Sequence, residues 1–355
     1  MRKISFLLIL LAFACKESSK ENTAGNLENN KSEYFSSVET NVILEDDSLS
    51  VRAIEVIGQN LAFAGNNGMY GLYNSTQKTW KTNIQKFDTI VPEYRAIAST
   101  SNDFFMLSVA SPALLFKTGD SGKMELVYKE EDEKAFYDAM VFWNDKEGVA
   151  MGDPTDECIS IIITRNGGKS WSKLECENLP QAAEGEAAFA ASNSNIVVKG
   201  DKTWLLTGGM KSRILFSPDK GNSWSVFETP LIQGKSTTGG YSLDFYDEQT
   251  GIIIGGDYTN AEGNKGNKAV TKDGGKTWKL VAEGKAPGYK SSVRYVPNSE
   301  GNEILATGFT GIHYSKDGGN SWEKLSDEGF YTLRFVNDTL AYAAGKGRIA
   351  KLIFR

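Results

Sequence analysis

The sequence predicts an all-β fold in which a unit of four strands repeats along the chain. One turn motif recurs four times, at intervals of 53, 54 and 44 residues, and periods of this length are typical of β-propeller blades. Short apolar runs alternate with turns that draw on the chain's 36 glycines, and no segment has the periodicity of a long helix. These features together predict a seven-bladed β-propeller with four-stranded blades.

The repeated motif has a hydroxyl residue, then Asp or Asn, then Gly and finally Trp. Each copy follows an apolar run and precedes a shorter one, so it predicts the turn of a β-hairpin. The Asp or Asn oxygen can accept backbone N–H groups within the turn, Gly supplies a positive φ, and we expect Trp to be buried against the sheet. The four copies are TRNGGKSW (164–171), SPDKGNSW (217–224), TKDGGKTW (271–278) and SKDGGNSW (315–322). Their structural residues are Asn166, Trp171, Asp219, Trp224, Asp273, Trp278, Asp317 and Trp322.

This motif resembles the Asp-box, or BNR repeat, of sialidases, sortilin-type receptors and the photosystem II stability/assembly-factor family. Two weaker copies, at 118–125 and 73–80, extend the series. In the families that it resembles, the box marks propeller blades whatever their activity. The resemblance therefore implies architecture more directly than function.

The strand-like runs between the boxes set the number of blades. Units of four strands begin near residues 51, 93, 135, 186, 239 and 289, and a last unit near 331 has three strands before the chain stops. A surplus strand at 38–46 precedes the first unit. We expect it to complete the last blade and close the ring, which leaves one propeller domain over residues 34–355.

The first fifteen residues predict export. Arg2 and Lys3 precede an apolar run that ends at Ala14 and Cys15, and the run is too short to span a membrane. This segment resembles a bacterial lipoprotein signal, which implies that Cys15 is acylated. Residues 16–33 have too few apolar side chains for a core, so we expect a flexible tether. The expected location is the cell envelope, on its periplasmic or outer-membrane face, with the lipid as the only membrane contact.

Two further cysteines fall in one predicted hairpin. If the strands flanking the first motif copy pair symmetrically, Cys158 lies opposite Cys176. A disulfide suits an exported protein, and two reduced, half-buried thiols are the other interpretation.

Topology predicts which face of the propeller binds. The motif turns decorate one face, and the longer loops crowd the opposite, upper face, where binding residues usually lie. At one equivalent position near the start of the first strand, four blades have arginines and three have Asp138, Glu186 and Tyr241. The predicted binding residues are the arginines Arg52, Arg95, Arg294 and Arg334 with the acids Asp138, Asp153, Glu186 and Asp257. An arginine arc recognises an anionic group, and the alternative is that these arginines are internal struts paired with carboxylates.

A glycoside hydrolase is the alternative function. Sialidases use an arginine cluster with Tyr, Glu and Asp, for which Asp138, Glu186 and Tyr241 are candidates, but the Arg-Ile-Pro signature of that family is missing. The single histidine, His313, excludes His-dependent triads. The loop at 255–268 does not have the spacing of an EF-hand. We therefore predict no catalytic residue, no cofactor and no metal.

The resemblance to the assembly factors implies a non-enzymatic scaffold that binds a partner at the cell envelope. With 45 acidic against 39 basic residues, the chain has a net charge of −6, which disfavours nucleic acid. We expect a monomer whose partner is an envelope protein or a small anionic ligand.

Overall fold

In the described part of the chain, residues 34–355 of the computed structural model, the regular secondary structure is almost entirely β-strand. The all-β prediction is confirmed. The signal segment, Cys15 and the tether at 16–33 lie outside the described residues. Between residues 34 and 355, no helix has the length and apolar character needed to cross a membrane.

The strands follow one another with short connections. The first fifteen are β1 (Val38–Ile57), β2 (Asn60–Gly65), β3 (Met69–Asn74), β4 (Thr79–Ile84), β5 (Tyr94–Ser99), β6 (Phe104–Ser108), β7 (Ala113–Thr118), β8 (Met124–Glu130), β9 (Tyr137–Phe142), β10 (Gly148–Gly152), β11 (Ser160–Thr164), β12 (Ser172–Lys173), β13 (Glu186–Ala187), β14 (Ile196–Lys199) and β15 (Lys202–Leu206). The remainder are β16 (Gly208–Gly209), β17 (Arg213–Ser217), β18 (Ser225–Glu228), β19 (Thr238–Phe245), β20 (Gly251–Asp257), β21 (Lys268–Thr271), β22 (Lys279–Leu280), β23 (Ser292–Tyr295), β24 (Ile304–Gly308), β25 (Gly311–Ser315), β26 (Glu323–Ser326), β27 (Thr332–Phe335), β28 (Leu340–Ala344) and β29 (Lys346–Phe354). Short 3-10 helices lie at Cys176–Asn178 and Tyr258–Asn260.

These strands form antiparallel sheets, and four of the sheets have four strands each. Those four are β5 to β8, β9 to β12, β23 to β26, and β14 with β15, β17 and β18. A six-stranded sheet has the order β13-β16-β19-β20-β21-β22. We call each run of strands that pair in chain order a set, and the first strands of the sets are β1, β5, β9, β14, β19, β23 and β27. These first strands pack side by side in this order, and β27 also contacts β1.

The seven-stranded sheet joins the two ends of the described chain, in the order β27-β28-β29-β1-β2-β3-β4. The long strand β1 has a different partner along each half. Its first half pairs with β29, with Val38 opposite Phe354, and its second half pairs with β2, with Ala53 opposite Ala64. Residues 38–46 thus extend the sheet of β27 to β29 by one strand.

The predicted unit boundary near residue 186 requires correction. Glu186 and Ala187 form the short strand β13, which pairs with Gly208 and Gly209. The first strand of this set is instead β14, whose Ile196 pairs with Leu205 of β15. The apolar run of β14, which begins ten residues later, therefore occupies the side of β15 where a strand starting at 186 would pair.

A buried segment, 191–195, lies among the first strands of the other sheets. The Asn193 side chain accepts a hydrogen bond from Met140 N at 3.0 Å and donates one to Ile97 O at 2.8 Å. Further hydrogen bonds join Ser192 Oγ to Ser291 O at 2.6 Å, Thr332 Oγ1 to Ser192 O at 2.9 Å and Leu243 N to Ser194 O at 2.9 Å. The segment thus ties five sheets together through polar groups that are satisfied in the interior.

The four motif turns share one hydrogen-bond pattern. In the first copy, Thr164 Oγ1 accepts from Gly168 N at 2.9 Å, and Asn166 Oδ1 accepts from Ser170 N at 3.1 Å. The corresponding Asp Oδ1 bonds in the other copies are Ser223 N to Asp219 at 2.8 Å, Thr277 N to Asp273 at 3.0 Å and Ser321 N to Asp317 at 2.8 Å. The side-chain oxygens thus satisfy amides that the turn leaves unpaired.

The motif tryptophans differ in burial. Trp171 is buried, whereas Trp224, Trp278 and Trp322 are half-buried, which corrects the expectation of uniform burial. Each of these three donates Nε1–H to the carbonyl of the motif Gly three residues earlier, whereas Trp171 Nε1 is buried without a hydrogen-bond partner among the described residues.

Cys158 and Cys176 form a disulfide, with their Cα atoms 5.4 Å apart. The strand register differs from the predicted one by one residue. Ile163 pairs with Ser172, so Cys176 is not directly opposite Cys158. Cys176 instead begins a 3-10 turn after β12, and this turn brings its sulfur back to Cys158.

Candidate functional site

A cavity of about 590 Å³ opens where the first strands begin. It lies at the end of the sheets opposite the motif turns. In the sheet of β9 to β12, Gly152 pairs with Tyr137 near the cavity, whereas Gly148 pairs with Thr164 beside the first motif turn. We call the cavity end the upper face. The lining residues include Arg52, Arg95, Phe136, Asp153, Phe189, Tyr241, Tyr258, Tyr289, Ser291, Phe309 and Tyr331.

β-Bulges place the key side chains at this level. Arg52, Arg95, Asp138 and Tyr241 are each the extra residue where the register of a first strand shifts against the second strand. A bulge leaves one residue out of the ladder and redirects its side chain. A β-bulge in each strand therefore places four side chains of different chemistry at equivalent positions of the upper face.

Arg52 packs against an aromatic ring. Its Cζ lies 4.0 Å from the ring centroid of Tyr331, and Nη1 donates to Ala191 O at 3.5 Å. The Nε atom is buried and has no hydrogen-bond partner among the described residues. Burial, with a contribution from the nearby charge of Arg95, lowers the pKa of Arg52. Arg52 is thus a partly desolvated cation that lines the cavity, which favours an anion there.

Arg95 stands beside it and is more open to solvent. Its Nε donates to Glu93 Oε1 at 2.8 Å, and its side chain remains 26% exposed. Because only Nε is engaged with Glu93, the terminal nitrogens remain available to a ligand.

An acidic pair lies next to the arginines. Asp138 is fully buried, and neither carboxylate oxygen accepts a hydrogen bond from a described residue. Asp153 lines the cavity and accepts from Ala188 N at 2.7 Å. Burial and then the neighbouring Asp153 charge raise the pKa of Asp138, while burial raises the pKa of Asp153 to about 6.

Aromatic rings form the other side of the cavity. Phe189 and Tyr241 stack with centroids 3.8 Å apart, Tyr241 meets Tyr289 edge-on at 4.8 Å, and Tyr289 contacts Phe309 at 5.4 Å. Phe309 and Tyr258 are each 48% exposed. Of these rings, sequence analysis singled out only Tyr241, although each ring lies close to the start of a first strand or the end of a second strand.

Arg294 and Arg334 lie elsewhere, which corrects the predicted four-arginine arc. They occupy regular ladder positions, opposite Leu305 and Tyr342, in strands where no bulge interrupts the pairing. Counted from the start of each ladder, they are level with Glu55 and Asp244, one layer below Arg52. Their equivalents at the cavity level are Ser291 and Tyr331, both of which line it.

The contacts of these two arginines are internal. Arg294 Nη1 lies 3.8 Å from Asp244 Oδ1, and Arg334 Nη2 donates to Asn193 O at 2.6 Å. Burial lowers the pKa of both, and that of Arg334 falls to about 9. The strut interpretation, which the sequence left open, describes their geometry.

The polar groups of the remaining predicted site residues have hydrogen-bond partners of their own. The buried Glu186 carboxylate pairs with Arg213 and accepts from Thr207 Oγ1 at 2.6 Å, so it does not face the arginines across the opening. Asp257 accepts from Thr259 N at 2.9 Å and is absent from the lining of the cavity. Tyr241 donates its hydroxyl proton to Thr237 O at 2.8 Å. Asp138, Glu186 and Tyr241 therefore do not converge as a catalytic set.

A metal site would need several ligands close together. Among residues 34–355, no group of three or more His, Cys, Asp or Glu side chains is arranged to hold a metal ion.

No protein-family model and no curated protein sequence matches the chain. Solved structures do match. YCF48 bound to D1 peptide covers 91% of this chain and 98% of its own, with a TM-score of 0.64 and 13% identity. YCF48 from Cyanidioschyzon merolae covers 89% and 98%, with a TM-score of 0.64 and 12% identity. A GH74 xyloglucanase from Xanthomonas campestris covers 88% of this chain and 53% of its own, with a TM-score of 0.61 and 11% identity.

Similarity at this level of identity shows the fold alone. The chain is a β-propeller, and the prediction of that architecture is confirmed. Propellers with different activities share the fold, so function has to be argued from the cavity.

Proposed function

We propose that this protein is a non-enzymatic binding scaffold of the bacterial cell envelope, and that its upper cavity takes a segment of a partner protein carrying an anionic group. The observation that carries the proposal is Arg52, a partly desolvated cation whose side chain lines the cavity. Arg95 adds a second cation, and the aromatic rings offer apolar surface to a peptide. YCF48, which shares the fold, is bound to a D1 peptide, and this supports a peptide as the occupant.

The scaffold is proposed to be a closed ring of seven blades. Packing of the seven first strands, from β1 through β27 and back to β1, supports this number. Pairing of the first half of β1 with β29 supports closure by the N-terminal strand, because it supplies the sheet of β27 to β29 with its fourth strand. The shared hydrogen-bond pattern of the four motif turns supports their assignment as Asp-boxes.

Attachment to the envelope is proposed to occur through Cys15. We expect labelled palmitate to enter the wild-type protein, and the Cys15→Ser variant to be released from membranes or mislocalised. A mature wild-type chain that stays soluble and incorporates no label would contradict the anchor without affecting the cavity proposal.

Selection from a random-peptide display library tests the binding role. We expect residues 34–355 to enrich peptides that carry a carboxylate, either Asp, Glu or a free C-terminus. Arg52→Gln should abolish this enrichment because it removes the charge from the cavity wall. Arg165→Gln is the matched control, since Arg165 lies at the motif-turn end and pairs with Glu147. Equal enrichment by all three proteins, or none by the wild type, would contradict the proposal.

A further inference from the structure

The proposed recognition of an anion by Arg52 does not involve Asp153 or Asp138. Asp153 lies in the cavity wall, and one of its oxygens, Oδ1, is bonded to Ala188 N. Behind it, Asp138 is fully buried with two unpartnered oxygens. A buried carboxylate without hydrogen bonds is costly, and a cation nearby lowers that cost.

Acidic residues lie on one side of Asp153, and that side favours a cation. A second cavity shares Asp153 with the acids Asp156, Glu157 and Glu184, which are exposed. Glu186, also in that cavity, is neutralised by Arg213, and Arg95, which lines the main cavity, acts on Asp138. The wall of the main cavity thus changes from positive at Arg52 to negative at Asp153.

We propose that Asp153 and Asp138 form a subsite for a protonated amine, such as a basic side chain of the bound segment, with the aromatic wall covering the apolar part next to that amine. This inference rests on the proposed binding role of the cavity. A ligand that satisfies both ends carries an anionic group for Arg52 and a cationic group for Asp153. The ammonium charge is then compensated by Asp153, which lines the cavity.

The probe is phenethylamine, which joins an aromatic ring to an ammonium group, with phenethyl alcohol as its uncharged match. Dissociation constants are measured by calorimetry for the wild type, Asp153→Asn and Asp338→Asn. The amide introduced by Asp153→Asn keeps an oxygen that can accept from Ala188 N, so the fold is kept, and melting curves verify this. Asp338→Asn removes the same charge from an exposed turn and controls for net charge.

We expect phenethylamine to bind the wild type and Asp338→Asn alike at pH 7.5, and Asp153→Asn about tenfold more weakly or not at all. Phenethylamine stays protonated over this range, and Asp153 becomes protonated as the pH falls below about 6. Wild-type binding should therefore weaken about tenfold at pH 5. Phenethyl alcohol should show neither change.

Equal affinities of the amine and the alcohol, or an unchanged affinity of Asp153→Asn, would overturn the subsite. The outcome is separable from the test of the proposed function. Peptides selected through Arg52 without any amine binding would refute the subsite alone. Amine binding without any selected peptide would refute the peptide role and leave the subsite standing.

Discussion

The guanidinium of Arg52 lies over the ring of Tyr331, with 4.0 Å between Cζ and the ring centroid. Arg52 belongs to β1 and Tyr331 directly precedes β27, so the contact joins the first and last sets of strands. Cation–π packing on one face leaves the edges of the guanidinium for hydrogen bonds. A ligand that binds Arg52 would therefore engage a group already held in position by the contact between the first and last sets of strands.

The two lower arginines should stabilise the fold and not bind ligand. We expect Arg334→Gln to lower the free energy of unfolding by about 3 kcal/mol, because it leaves carbonyls such as Asn193 O without their charged donor. Urea denaturation measures this loss. Arg52→Gln, which breaks only a 3.5 Å hydrogen bond and one ring contact, should cost much less stability. Weakened ligand binding by Arg334→Gln at unchanged stability would reverse this assignment.

The difference between these arginines shows where sequence analysis stops. The motif spacing was enough to predict the strands, the hairpin turns and the propeller. The sequence strings around Arg52 and Arg294 look alike, but a bulge shifts the register in β1 and not in β23. A one-residue shift decides whether a side chain lies at the mouth or one layer below, and bulges depend on backbone packing that no local pattern encodes.

The cavity pair predicts an unusual dependence of stability on pH. Burial raises the pKa of Asp153 from 3.8 to about 6, and its carboxyl group lies near that of Asp138, on which Arg95 also acts. Protonation therefore favours the folded state, and stability is lost as the pH rises through about 6. Asp153→Asn should equal the wild type below pH 4 and exceed its stability by about 3 kcal/mol at pH 7.5. A constant difference across this range, measured by urea denaturation, would contradict the shift.

In the third motif turn, the pKa of a carboxyl group is lowered, so stability should depend on pH in the opposite direction. Hydrogen bonds from Thr277 and Thr271 help to lower the pKa of Asp273 to about 2, against the opposing effect of burial. Asp273 thus stabilises the fold above pH 4, and this contribution disappears as the pH falls toward 2. We expect Asp273→Ala to cost about 1 kcal/mol at pH 7. Asp273→Asn should cost less, because Asn166 fills the same position in the first copy. Equal losses in both variants would argue against the side-chain acceptor.

The disulfide should add stability without affecting the cavity. Cys158 and Cys176 are 18 residues apart, and closing a loop of this length contributes about 3 kcal/mol by restricting the unfolded chain. Dithiothreitol should lower the melting temperature of the wild type and leave the Cys158→Ser, Cys176→Ser double variant unchanged. A wild-type melting temperature that does not respond to the reductant would show that the bond contributes little.

A double-mutant cycle between Arg52 and a selected peptide tests the central claim most directly. Calorimetry gives the dissociation constants of wild type and Arg52→Gln for one selected peptide and for the same peptide with its carboxylate converted to an amide. If Arg52 binds that carboxylate, each single change should weaken binding about tenfold or more, and the second change should add little to the first. Two losses that simply multiply would mean that the carboxylate binds elsewhere, and the account of the cavity would be wrong.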